Sequence, residues 1–214
     1  MRIPNGINNE ETLLLALCRL EFNDQQSEKI IALIHGLKDW NYFLSLANAH
    51  GIVALICNNL EKLKLLNAIP GEVSVTLRNS LMKTLSRNEF NMMITGEALH
   101  LLNRESIPVV LLKGMALELT VYGNQGIRQM SDVDILIERK QCIKARKILM
   151  NNGFKSLPVK SVLHKLILKY VGKHLPSVEK KGVLVEIHHE LFGGEHNELT
   201  QLFLEQCWAS EPFF

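Results

Sequence analysis

Two aspartates, Asp132 and Asp134, flank one valine in the run DVDILIE. On a β-strand, residues two apart point to the same face, so both carboxylates would stand side by side. Aspartate is disfavoured in strands, and like charges on one face repel. A divalent cation is the simplest compensation, and carboxylate oxygens are what Mg²⁺ prefers. The chain has only four aspartates, Asp24, Asp39, Asp132 and Asp134, so the bare match is suggestive by itself and its strand context sharpens it. The plain alternative is a strand end with two solvated acids.

A third acid lies in Val185-Glu186-Ile187-His188-His189. Alternation puts Glu186 and His188 on one face, opposite Val185 and Ile187. Glu186 could join the aspartates, hold a second metal and help activate an attacking hydroxyl. The alternative is a solvent-facing acid on an edge strand. Leu111-Leu112-Lys113-Gly114 reads as a buried strand turning into a helix. Its glycine and free N–H groups suit a phosphate, with Lys113 adding a point charge. The spaced glycines of a Walker A loop are missing, so an ordinary strand–helix turn stays open. Arg128, four residues before Asp132, could hold a triphosphate or form a structural salt bridge. The histidines tempt less: His188, His189 and His196 could make a zinc site. His189-Glu190 lacks the later histidine of a zinc protease helix, since Gly193 stands there, and no GxSxG element occurs.

Strands and helices must position these groups. Residues 9–106 read as helices: Thr12–Leu20 with Asn8, Asn9 and Glu11 as cap material, Gln26–Leu37, and Trp40–Ala49 capped by Asp39 and ended by Gly51. Ile52–Leu66 continues the pattern, and Pro70 suits the first turn of a long helix to about Asn103. From residue 107 the period changes. The spacing predicts strands at 107–112 and 132–138, helices at 114–122 and 140–152, and a short strand at 154–157. Gly153 is a natural helix stop. Val162–Tyr170 reads as helix or loop, 174–189 as a β-hairpin, and 196–209 as a helix. The fold class is α+β, an N-terminal helical bundle followed by a mixed sheet with flanking helices. The expected domains are 1–106, a core at 107–195, and 196–214, read as the start of a truncated helical domain.

The 214 residues are 47% hydrophobic and 21% charged, which excludes wholesale disorder. No apolar run approaches the roughly 20 residues that cross a bilayer. The start lacks the features of a secretion signal, and the four dispersed cysteines read as reduced thiols, so the expected location is the cytoplasm. The net charge of +2 hides seven lysines within 155–181 against one acid, Glu179. That surplus attracts phosphates, or it is a solvated basic face. Tyr170 is the only aromatic in its central part, so base stacking is not signalled.

Taken in order, LLKG (111–114), Tyr122-Gly123, R-x-x-x-D-V-D-I-L (128–136), NNGF (151–154) and VEIHHEL (185–191) resemble the uncharacterised nucleotidyltransferase-like family of bacteria. That family belongs to the DNA polymerase β-like nucleotidyltransferase superfamily. The resemblance covers about residues 107–195. It implies a nucleotidyltransferase-like sheet, with Mg²⁺ (or Mn²⁺) held by Asp132 and Asp134 and by Glu186 as the third acid. Lys113-Gly114 takes the position of the phosphate-gripping turn. Met115 replaces its second small residue, and sixteen residues separate Met115 from Asp132, a longer spacer than usual.

The expected reaction moves an NMP group from a nucleoside triphosphate to an acceptor hydroxyl on a small molecule, RNA or protein, with no membrane partner. The alternative is an inactive nucleotide-binding or partner-binding module. The transfer reading requires Glu186 on the aspartates' side of the sheet, with no positive side chain buried among them.

Overall fold

The computed structural model describes residues 6–123, 126–157, 174–191 and 198–209. The possible helix at Val162–Tyr170, His196, and the lysines Lys160, Lys165, Lys169 and Lys173 lie outside them. The described elements are mixed α and β. The chain divides into two compact units, Met1–Asn88 with Glu118–Gln129, and Glu89–Leu117 with Met130–Phe214.

The first unit is helical. Helices α1 (Asn9–Leu17) and α2 (Asp24–Gly36) each open on a reciprocal capping box, Asn8 with Glu11 and Asn23 with Gln26. Asp39 caps α3 (Trp40–Ala49), accepting the Tyr42 N–H at 2.8 Å. Helix α4 (Val53–Lys62) stops earlier than the apolar spacing suggests. Lys64 turns left-handed at φ 58°, and the Leu65 N–H reaches back to the Leu60 carbonyl, closing the helix as a Schellman turn. A short 3₁₀ turn (Leu66–Ala68) and Pro70 lead into α5 (Gly71–Asn103), which runs on into the second unit. Leu13, Leu17, Ile30, Phe43, Ile56 and Leu77 are fully buried in one apolar cluster. Burying side chains of this size contributes about 1.5–3 kcal/mol each.

The glycine loop ahead of Asp132 closes on this unit. Glu118, fully buried, accepts the Gly126 N–H with one carboxylate oxygen and the Arg128 N–H with the other at 3.3 Å. Asn88 donates its amide to the Arg128 carbonyl at 2.7 Å. Gly126 has φ +66°, which strains any side chain, and a Cβ there would lie 2.7 Å from Leu85 Cδ2 and push that side-chain tip aside.

The second unit is built on a five-stranded sheet in the order β1-β2-β5-β4-β3. The strands are β1 (Val110–Leu111), β2 (Asp132–Leu136), β3 (Lys155–Ser156), β4 (Val178–Lys180) and β5 (Val183–His188). The central pair, β2 and β5, is parallel; every other pairing is antiparallel. Strand β1 is shorter than the apolar run 107–112, because the Ile107 N–H still closes α5 on Leu102 and Pro108 has no N–H to give. Helix α6 (Lys113–Thr120) follows it directly. Helix α7 (Arg139–Asn151) packs against β4 and β5, and Gly153 ends it at φ +90°. Lys181 and Gly182, both left-handed, make the primed two-residue turn that joins β4 to β5. Val133, Ile135, Val178, Val183, Val185 and Ile187 are buried in its core. The last described element is α8 (Glu198–Ala209).

Among the described residues no helix is long and apolar enough to cross a membrane.

Candidate metal centre

The register of β2 on β5 decides the site. Asp132 lies opposite Leu184, Asp134 opposite Glu186, and Leu136 opposite His188. In a parallel pair, opposed residues point to the same side of the sheet. Asp134, Glu186 and His188 therefore meet on one face, while Val133, Val185 and Ile187 fill the other. One ligand atom from each of the three lies within 4.8 Å of the other two.

Antiparallel pairing of β1 brings Lys113 to the same place. The Leu112 N–H donates to the Asp134 carbonyl at 2.9 Å. The next residue, Lys113, is left-handed at φ 45°, which costs on the order of 1–3 kcal/mol for a side chain with a Cβ. That turn carries Nζ to 2.5 Å from Asp134 Oδ1. The conformational demand falls on Lys113, where the sequence pointed to Gly114.

The electrostatics follow from these contacts. His188 Nε2 sits 2.7 Å from Asp134 Oδ1 and 3.4 Å from a Glu186 oxygen. A carboxylate only accepts, so Nε2 carries the proton here. Burial works to raise the Asp134 carboxyl, but the bonds from His188 and Lys113 outweigh it and hold it below the usual range. The His188 bond lowers Glu186 against its own burial, helped by the His174 charge and by the Ser177 hydroxyl, which donates at 3.1 Å. Burial opposes the His188 imidazolium, yet the two carboxylates prevail and raise it. Lys113 is half-exposed, whereas His188 is 2% exposed.

The arrangement meets one requirement of the sequence reading and bears on the other. Glu186 lies on the face that holds Asp134. The groups that stand among the acids are His188, a buried imidazole that the two carboxylates shift toward its protonated form and that ligates metals once its nitrogen gives up a proton, and the half-exposed Lys113 ammonium on the same Asp134 oxygen. Asp132 is half-buried at the start of β2, and its Oδ1 accepts the Ser131 hydroxyl at 2.8 Å. The three-residue group does not include it. Gly114 follows Lys113 at the start of α6. Met115 is 1% exposed and belongs to the core. Arg128 lies in the helical unit, its guanidinium 6.0 Å from the Tyr122 ring centre and its Nε buried without a hydrogen-bond partner among the described residues.

His188 and Ser177 were missed as partners of the acids. The spacing of Glu186 and His188 on one strand already signalled a shared face; nothing in the sequence signalled Ser177.

The donor set fits a divalent cation. Asp134 and Glu186 offer oxygens, His188 offers a nitrogen, and the positive charge now facing Asp134 is what such an ion would supply. Lys113, half-exposed, holds the same Asp134 oxygen and would have to yield it to such an ion. The family model described as an uncharacterised nucleotidyltransferase matches residues 37–213. No curated protein matches the chain.

Proposed function

The chain belongs to the uncharacterised nucleotidyltransferase family, and from that premise we propose that it is a divalent-cation-dependent enzyme moving an NMP group from a nucleoside triphosphate to an acceptor hydroxyl. The observation that carries this reading is the convergence of Asp134 and Glu186 from two paired strands, with His188 between them.

Asp132, Asp134 and Glu186 are the acids assigned to hold Mg²⁺ or Mn²⁺. When bound, such a cation neutralises triphosphate oxygens and stabilises charge on the entering and leaving oxygens. The chain's own residues do the rest. Lys113, drawn off Asp134, pairs with a phosphate; Gly114 and the first turn of α6 receive another. Glu186 orients the acceptor hydroxyl and takes up its proton. The acceptor oxygen bonds to the α-phosphorus, the bond from that phosphorus to the bridging oxygen breaks, and pyrophosphate leaves with the electron pair.

A labelled-NTP transfer assay with Asp132→Asn and Asp134→Asn tests the assignment. Loss of transfer supports it, and full activity in both variants removes it. The second reading, a nucleotide-binding or partner-binding module without turnover, is favoured by one observation. Met115 is buried in the core at the position where related proteins keep a small residue for phosphate. Calorimetry with Mg²⁺ and each NTP separates the two: binding without turnover favours the module. The acceptor class, small molecule, RNA or protein, belongs to the same proposal.

A further inference from the structure

We propose that His188 is itself a metal ligand: a cation held between Asp134 and Glu186 takes His188 Nε2 as its third protein donor, and the site therefore prefers Mn²⁺ to Mg²⁺. The inference rests on the metal-dependent reading above and goes beyond its three-acid set, which contains no nitrogen.

Four observations carry it. The first is distance. Donors of one ion at about 2.0–2.3 Å from its centre lie about 3–4.6 Å apart. The three candidate atoms fall within 4.8 Å of one another, and Nε2 with Oδ1, now hydrogen-bonded at 2.7 Å, would open by a few tenths of an ångström to share an ion. The second is aim. A single ring nitrogen, Nε2, faces both carboxylates, at 2.7 and 3.4 Å. An ion taking one oxygen from each acid would meet that nitrogen.

The third is immobility. The His188 side chain is 2% exposed, and its backbone is pinned on both sides. It pairs with Leu136 on β2 and forms a bridge to His174, whose ring centre is 5.3 Å from its own. The imidazole cannot turn out to solvent to make way for water. The fourth is the place of Asp132. Its carboxylate stands outside the three-atom group and holds the Ser131 hydroxyl. On the same face and two residues earlier, it is left for a cation that arrives with the triphosphate.

Ion preference follows from the donor chemistry. Mg²⁺ is a hard ion that takes oxygen and gives up its water reluctantly, while Mn²⁺, a first-row transition ion, tolerates a nitrogen donor among carboxylates better than Mg²⁺ does. Of these two ions, two oxygens and one buried nitrogen favour the second.

The test uses the full chain, Mn²⁺ alone and no nucleotide. Pulsed electron paramagnetic resonance reads imidazole nitrogen coupled to bound Mn²⁺. The expected result is a nitrogen modulation in the wild type that vanishes in His188→Gln and persists in Asp132→Asn and His174→Phe. Competition calorimetry should find Mn²⁺ at least tenfold tighter than Mg²⁺, with the ratio falling several-fold in His188→Asp. Should His188→Gln unfold the chain, ¹⁵N-histidine labelling of the wild type reads the same coupling without a substitution.

Mn²⁺ bound with no nitrogen coupling, or with coupling that survives His188→Gln, overturns this inference and leaves the transfer reading standing. Failure of the wild type to bind Mn²⁺ at all also overturns this inference, while the transfer reading stands or falls on the labelled-NTP assay.

Discussion

Asp134 and His188, 54 residues apart in the chain, face each other at 2.7 Å in the interior of the sheet. Neither is exposed by more than 4% at its side chain. The contact exists because β2 and β5 run parallel in a register that places Asp134 one step from His188 on the same face. A buried ion pair of this kind contributes little net stability as a unit, but removing one partner strands the other.

Asp134 should therefore matter more than its neighbour two residues away. Asp134→Asn is expected to lower nucleotidyl transfer by at least about 10³-fold, on the scale of a lost charge-stabilising group. Asp132→Asn should lower it by a smaller factor. Initial rates at saturating NTP, over a Mn²⁺ series, check the order. Equal rates in the wild type and Asp134→Asn would defeat the assignment.

The two cations on Asp134 should separate in stability measurements made without metal. His188→Ala removes a buried partner and should cost about 3–5 kcal/mol in urea unfolding. Lys113→Ala removes a half-exposed one and relieves a left-handed backbone only slightly, so it should cost under about 1 kcal/mol. A Lys113→Gly variant, which accepts φ 45° freely, should be at least as stable as Lys113→Ala.

Glu118 should behave as the anchor of the glycine loop. Both of its oxygens receive backbone N–H groups, so Glu118→Gln turns an amide N–H₂ against a donor and should destabilise by about 2–3 kcal/mol. Gly126→Ala should do comparable damage, through its φ and through Leu85. Limited proteolysis should show faster cutting near residues 123–128 in both variants; unchanged cutting would count against the anchor.

Glu10 offers a pH signature in the helical unit. The Asp39 N–H at 3.0 Å, followed by the Lys38 N–H at 3.3 Å, holds its carboxyl below the usual range. A depressed folded value stabilises above the unfolded value near about 4.3, and the gain is lost as pH falls through the folded value. The stability difference between wild type and Glu10→Gln should thus be about 1 kcal/mol above pH 5 or so and shrink at lower pH. A difference that grows on acidification would contradict the bonding.

The thiols should report burial. Burial pushes Cys57 and Cys142 up to about 11; it also raises Cys18, but that thiol is exposed at the surface while the other two are buried. At pH 8 a thiol of that kind is ionised about one part in a thousand, and access is blocked as well. Cys18 should label with a thiol reagent within minutes in the native chain. Cys57 and Cys142 should label only as fast as the chain unfolds.

Much of this was legible from residue types and spacing, because local signals are local physics. Asn8 and Asp39 cap helices because short polar side chains reach the first free N–H groups. Gly153 ends α7 because a left-handed residue must follow it. The hairpin at Lys181-Gly182 and the strand character of DVDIL also came from short-range pattern. Period two alone put Glu186 and His188 on one face. What the linear pattern did not contain was the pairing of distant segments. That β5 lies beside β2, in parallel and with Asp134 opposite Glu186, is decided by burial of Val133, Ile135, Val185 and Ile187 in one core. The same packing selects His188 as the group beside Asp134 and sets Lys113 against it from β1. A one-residue slip of β5 along β2 would send Glu186 and His188 to the face opposite Asp134, so the site is a property of the sheet and not of the motif.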